Sequence, residues 1–520
     1  MELEKRKIYM NRQKARIVTQ VTIDEDRNVP DVKPDMERII LQKGEVEPEE
    51  VRCSEEKGTV RGKLKYDVLY AAEGGGVQSL SGNLPLNEPV RLEGVDDKDS
   101  LTLDWTVEDL DIEMIHSRKV RIRAVLTFTI TADGLVQEGL VTAASANEPL
   151  ETREENYQIT RIAVQKRETY RVSEELEISG NKPNLGELIW REVELRGADC
   201  RPLDGALAVR GELAVFAMYQ GDGEHMPVQW EEFSVPFSGQ MDLPDSTEEM
   251  IPDIDVRLIH SDMEPKEDAD GELRMLDTEA ILEMQIRLYE TENVTAICDI
   301  YSPAKEAVLT EKEAAFEKIL VRNSSRAKLS ERVKLPEGER ILQICHGSSQ
   351  VMVDRIGVTE EGLEIEGALH VTVLYASADD TAPLRSVDAA LPFQHLMEAR
   401  NIDASCTYRL KSMAENLNVL MLGADEAEVR AGIVLEAIVL TREDMTILGD
   451  AELVPYDEEK IRKMPGIVGY RVQPGDTLWK IAKKFYTTVE GIRETNEGIG
   501  EEVKPGERLI LIKQTDEITA

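Results

Sequence analysis

Val209-Arg-Gly-Glu-Leu-Ala-Val-Phe-Ala-Met-Tyr219 decides the fold, because two other stretches of the chain read the same way. Val60-Arg-Gly-Lys-Leu-Lys-Tyr-Asp-Val-Leu-Tyr70 and Ile365-Glu-Gly-Ala-Leu-His-Val-Thr-Val-Leu-Tyr375 repeat its glycine and tyrosine at the same separation, giving the pairs 62/70, 211/219 and 367/375. The copies are offset by 149 and 156 residues, and Pro85, Pro236 and Pro392 follow the three tyrosines at 15, 17 and 17 residues. Matching spacing in three copies marks a triplicated unit.

Alternation says what the unit is. Val60, Leu64, Tyr66, Val68 and Tyr70 share one parity and Arg61, Lys63, Lys65 and Asp67 the other, and the second and third copies do likewise. Period 2 over this length predicts a long strand with one face on a core. The glycine has inward parity each time, which predicts a bulge or a close approach of another backbone. Gly74-Gly75-Gly76, Gly221-Asp-Gly223 and Asp379-Asp380 then supply turns. Late in each copy come Val120 to Ile130, Glu279 to Tyr289 and Ala431 to Thr441, β-rich runs of which the last two also admit a helix. The expected class is mainly β: antiparallel sandwich- or barrel-like repeats over residues 1–150, 151–305 and 306–445. Each is long enough to bury its own core, so three independently folded parts are expected. The charged runs 245–249, 264–272 and 311–318 read as solvated faces or loops, and 446–469, with Pro455 and Pro465, reads as a linker.

Composition limits the function. With 62 Lys+Arg against 102 Asp+Glu, the formal charge of −40 opposes nucleic-acid or anionic-membrane binding. No apolar run reaches the roughly 18 residues of a membrane helix. The charged start, Met1-Glu-Leu-Glu-Lys-Arg-Lys-Ile-Tyr-Met10, has no apolar core of a secretory signal. Five dispersed cysteines, without a Cys-x-x-Cys pair, suit a reducing compartment. The chain is therefore expected to act inside the cell that makes it.

The last stretch differs. Residues 470–513 carry eight Lys/Arg and seven Asp/Glu, so nearly all the negative charge lies before them. Tyr470-Arg-Val472 reads as a strand, and Asp476 or Thr477 can cap a helix with Leu478, Ile481, Ala482 and Phe485 inward. Thr487-Thr-Val-Glu490 has capping-box spacing for a second helix, and Arg508 to Ile512 closes as a strand. A strand-helix-helix-strand α+β module is expected at 470–514.

These residues, from Tyr470-Arg-Val-Gln-Pro-Gly-Asp-Thr-Leu-Trp479 through Asn496 to Val503-Lys-Pro-Gly-Glu-Arg-Leu509, resemble a LysM domain. The resemblance implies a shallow groove for N-acetylglucosamine-containing glycan or for a partner, formed by Gly475, Asp476, Thr477 and Leu478 and by Asn496, Glu497, Gly498 and Ile499. Trp479, one residue off the inward stripe, is expected to supply exposed aromatic contact. Two positions depart from the pattern: Gly491 where an apolar helix residue is usual, and Glu497 where proline commonly follows the asparagine.

No catalytic motif accompanies the module. Gly-x-Ser-x-Gly, His-Glu-x-x-His and a phosphate loop are missing from the sequence. The histidines (116, 225, 260, 346, 370, 395) are dispersed, and Cys345-His346, as strand neighbours, are expected on opposite faces. No catalytic residue, metal or cofactor is expected, and the chain reads as a non-enzyme. Three β-rich repeats followed by one LysM domain are similar in layout to the SipL-like spore-coat morphogenetic proteins. That resemblance implies a scaffold in the mother-cell cytoplasm at the forespore surface, in the spore coat. Its partners would be other coat proteins and a SpoIVA-like morphogenetic ATPase of the coat basement layer. A peptidoglycan-binding cell-wall protein is the alternative.

Overall fold

A computed structural model describes residues 1–54, 57–223, 227–403, 405–500 and 502–514; His225 and Glu501 lie outside these. The first repeat has six strands: β1 (Glu2–Asn28), β2 (Met36–Ser54), β3 (Lys57–Ala72), β4 (Val77–Arg91), β5 (Ser100–His116) and β6 (Lys119–Ser145). The second has β7 (Glu151–Glu177), β8 (Leu185–Leu203), β9 (Ala206–Gly221), β10 (Val228–Asp242), β11 (Ile251–Glu267) and β12 (Leu273–Tyr301). The third has β13 (Glu306–Lys334), β14 (Ile341–Thr359), β15 (Gly362–Ser377), β16 (Leu384–Glu398), β17 (Thr407–Met421) and β18 (Glu426–Val454). Each repeat forms two antiparallel three-stranded sheets, β1-β6-β5 and β2-β3-β4 in the first, with the same order in the others. The two sheets close on one core, where Leu64, Tyr66 and Val68 of β3 meet Ala124, Leu126 and Phe128 of β6.

The quoted stretches are the central strands β3, β9 and β15. Their glycines have the consequence parity suggested, on the neighbouring strand. Gly62, Gly211 and Gly367 pair beside bulges at Pro48/Glu50, Arg196/Ala198 and Val353/Arg355. A Cβ at Gly211 would stand 2.6 Å from the Gly197 carbonyl oxygen, and at Gly367 2.2 Å from that of Met352. The extra residue brings one backbone against the other, and only glycine leaves room. Pro85, Pro236 and Pro392 sit on the edge strands β4, β10 and β16, the sheet positions to which proline is normally confined. The runs 279–289 and 431–441 are strands at the centres of their sheets. Alternation aims Ala280, Leu282, Met284, Ile286 and Leu288 into one core, which overrides the helical leaning of Glu, Ala and Met.

The expectation of three separate bodies is corrected by their packing. Beyond its own core, each repeat contributes to clusters shared by all three. Ile8 and Leu140, Tyr157 and Val294, and Phe316 and Ile447 meet in one. Val141, Ile297 and Leu448 meet in another, at equivalent register positions. Equivalent residues converging from three copies give the body pseudo-threefold symmetry. The run 311–318 is thus more than a solvated face, since Ala314 and Phe316 are buried within it. The expected linker also begins later: residues 446–454 belong to β18, paired with β13 from Glu306 to Glu313. A charged-looking segment with Pro455 just beyond it concealed a strand whose partner lies more than a hundred residues away.

A third shared cluster shows why strand alternation misplaced Cys345 and His346. Bulges between Ile39 and Leu41, Leu188 and Trp190, and Ile344 and His346 turn two successive side chains to one side. Ile40 and Leu41, Ile189 and Trp190, and Cys345 therefore all reach the cluster between repeats, and His346 stacks on Phe216 at 4.0 Å. Burial pushes the Cys345 thiol up to about 12, which disfavours its thiolate.

Candidate functional site

The chain passes from β18 through the short helix α1 (Glu458–Lys463) into the C-terminal module. This module contains β19 (Ile467–Arg471), α2 (Leu478–Lys484), α3 (Val489–Thr495) and β20 (Arg508–Ile512), with β19 antiparallel to β20. Leu478, Ile481, Ala482 and Ile492 are buried against Leu509 and Leu511, as their helical spacing requires.

The first expected groove loop is held by its own side chains. Gly475 takes φ +85°, a left-handed turn for which glycine is suited. Asp476 does not cap α2: its carboxylate accepts from the Tyr470 hydroxyl (2.7 Å) and the Gln473 amide (2.8 Å), and these bonds hold its pKa low. Thr477 is the cap, accepting from Lys480 N at 3.2 Å. The cap of α3 is Thr488, accepting from Gly491 N at 2.9 Å; Thr487, expected there, is buried one position earlier.

The second loop is anchored at both ends. Asn496 joins α3 to β20: its amide donates to the Ile492 and Ile510 carbonyls at 2.8 and 2.7 Å, and its side-chain oxygen accepts from Ile510 N at 2.7 Å. Ile499 rests on the apolar cluster that includes Leu478 and Trp479. Between the anchors Glu497 and Gly498 are exposed, as are Gly475 and Thr477 in the first loop. The nine expected residues thus divide. Leu478, Trp479, Asn496, Ile499 and Asp476 are engaged in holding the fold, the exposed Thr477 has its hydroxyl committed to capping α2, and Gly475, Glu497 and Gly498 present free surface.

Trp479 is the main correction. It is half-buried against the second repeat, with its indole N–H donating to Asp299 Oδ2 at 2.7 Å and its ring edge-on to Tyr301 at 4.8 Å. Lys483, one turn on, donates to Asp299 Oδ1 at 2.6 Å. The Tyr301 hydroxyl donates to the Thr487 carbonyl at 3.1 Å, and Tyr456 before the module donates to the Ser302 carbonyl at 2.7 Å. Sequence reading missed Asp299 and Tyr301 because they end an ordinary alternating strand; only comparison with the same positions of the other repeats could mark them.

The charged groups elsewhere in the body tie repeats together. His346 of the third repeat lies 2.5 Å from Glu232 and 3.5 Å from Glu192 of the second, and Lys43 of the first reaches Glu192 at 2.9 Å. Burial alone would lower the His346 pKa, but the two carboxylates outweigh it and raise it to about 9. In a second layer Arg409 binds Asp133 at 3.0 Å and Asp253 at 3.3 Å, and Lys411 binds Asp253 at 2.6 Å. Burial would raise Asp253, yet these cations hold it at about 2. Among the described residues no group of three or more His, Cys, Asp or Glu is placed to hold a metal ion, and no helix is long and apolar enough to cross a membrane.

Comparison with known families agrees with this division. The SipL, SPOCS domain family matches residues 17–115, 184–266 and 340–422, just over half of the chain, and the LysM domain family matches 470–511. No curated protein and no solved structure gives a significant match. The chain belongs to the SipL SPOCS-domain family, with a C-terminal LysM domain. It is thus a protein of a sporulation-associated family that carries a peptidoglycan-binding-type module, and both families are binding or scaffold domains.

Proposed function

We propose that the chain is a non-enzymatic scaffold for assembly of the spore coat around the forespore. It acts in the mother-cell cytoplasm at the forespore surface and docks a coat-basement morphogenetic ATPase through its LysM module. The observation that carries this reading is the joining of three SPOCS repeats, by shared apolar clusters, into one body that bears a single LysM module with exposed loop positions before α2 and after α3. Such a body offers broad surface for assembly and one specialised contact. The exposed Glu497 favours a partner with a basic rim, since charge on a rim steers encounter and selects partners.

The LysM match itself favours a second reading, in which the loops take N-acetylglucosamine-containing glycan in the cell wall. Binding of the full chain to purified basement ATPase and to purified peptidoglycan separates the two. The scaffold reading expects ATPase binding that Glu497→Arg weakens, and a ring of fluorescent fusion around the forespore. Peptidoglycan binding without ATPase binding, with decoration of the wall, would replace it by the second reading.

A further inference from the structure

Three equivalent strand ends are available to seat the LysM module, and the chain uses the second. β6, β12 and β18 run side by side through Val141, Ile297 and Leu448, which share one cluster. Each strand then carries an extra residue at the same register, Thr142, Cys298 or Gly449. The next outward positions are Ala143 and Ser145 in the first repeat, Asp299 and Tyr301 in the second, and Asp450 and Glu452 in the third. Although the chain leaves the body from β18 of the third repeat, the module rests on β12 of the second.

The chemistry of the pair explains the choice. Asp299 gives one carboxylate oxygen to Trp479 and the other to Lys483, side chains one helical turn apart, so both the roll and the position of α2 are set. Tyr301 places its ring against the Trp479 edge and its hydroxyl on the Thr487 carbonyl, joining the same strand to the turn after α2. Tyr301 is itself a member of the module's apolar core. Ala143 offers no acceptor, and although Asp450 repeats the carboxylate, Glu452 would put a second charge where a ring must meet Trp479.

We propose that Asp299 and Tyr301 are positioning residues, a latch that selects the second repeat as the seat of the LysM module and makes the module a rigid extension of the body. The latch withdraws Trp479 into an internal contact and leaves the exposed loop positions Gly475, Glu497 and Gly498 for the ligand. A partner held there is placed on one side of a pseudo-threefold body. The latch stands whichever ligand the loops take, because it concerns only contacts within the chain.

The test uses the full chain labelled uniformly with nitrogen-15. Nuclear magnetic resonance then follows the Trp479 indole proton and the rotational relaxation of the module. In the wild type the indole proton should be protected and the module should tumble with the body. Tyr301→Ala leaves the Asp299 acceptor in place, so a latch acting as a unit predicts about tenfold faster indole exchange. It also predicts faster module tumbling, while backbone amides 280–288 of β12 and those of α2 keep their protection. Tyr301→Phe, which keeps the ring, should retain most of the indole protection. In the Tyr301→Ala background, Lys483→Met should add little. A wild-type module tumbling freely would overturn the proposal. So would Tyr301→Ala leaving the indole protected, or deprotecting β12 and α2 equally.

Discussion

The Tyr375 hydroxyl donates to the Glu339 carboxylate, thirty-six residues upstream, whereas Tyr70 and Tyr219 span the same interval to reach backbone carbonyls of Pro34 (3.2 Å) and Pro183 (3.1 Å). All three rings are fully buried. Each tyrosine therefore ties the middle of its repeat to the loop that enters the second strand. In the third copy the acceptor is charged and is shared with Arg385. Tyr70→Phe and Tyr219→Phe should each cost about 1 kcal/mol, and Tyr375→Phe about 2, because a bond to a charged group is worth more. Urea denaturation of the three variants checks the order; replacing any of them with Asp should abolish cooperative folding of the body.

The glycines opposite the bulges should be intolerant in a way ordinary strand glycines are not. A Cβ at Gly211 meets the Phe237 ring at 2.5 Å and the Gly197 carbonyl oxygen at 2.6 Å, while a Cβ at Gly469 in the LysM sheet has nothing within 4 Å. Gly211→Ala is expected to cost about 2–4 kcal/mol and Gly469→Ala less than about 0.5. Thermal unfolding of both variants measures the difference.

The charged layer between repeats should be costly to break. Arg409 reaches Asp133, Asp253 and the Tyr289 hydroxyl, joining all three repeats. Arg409→Met removes one cation from two buried carboxylates, and the expected loss is about 3–5 kcal/mol. Adding Asp133→Asn should recover part of it. Equal stability of the single and double variants in guanidinium unfolding would contradict this assignment.

Stability should fall as the pH rises from 5 to 9. Burial lifts the Glu317 carboxyl from 4.5 to about 7, so folding favours its protonated form and a penalty grows between those values. His346 has a folded pKa of about 9 against an ordinary 6.5; its contribution is complete below 6.5 and is lost as the pH passes 9. Each shift corresponds to roughly 3 kcal/mol at most. Glu317→Gln should flatten the lower part of the profile, and His346→Gln the upper part, in thermal melts across that range.

Much of the chain could be read locally. Strand class follows from parity in Val60 to Tyr70 and its copies, and buried tyrosines from the same parity, because a strand turns every second side chain to one face. The βααβ module follows from Leu478, Ile481 and Ala482 at helical spacing and from its caps, which act within a few residues. Even the tight approach at Gly62, Gly211 and Gly367 was signalled by a residue lacking a side chain at an inward position.

Other features depend on partners that local order does not encode. Cys345 and His346 turn to one side because β14 carries an extra residue relative to β15, a mismatch between two strands that neither records alone. Residues 446–454 are a strand because Glu306 to Glu313 lies beside them. Glu192, Lys43 and His346 are ordinary polar residues in their own repeats and become a buried cluster only when three repeats meet. Trp479 shows the same limit most sharply. Its sequence neighbours place it off the inward stripe of α2, and an off-stripe tryptophan is equally suited to a ligand or to another part of the chain. Asp299 and Tyr301, 180 and 178 residues earlier, decide between them: folding brings one carboxylate and one ring to that surface, and the indole pairs within the chain.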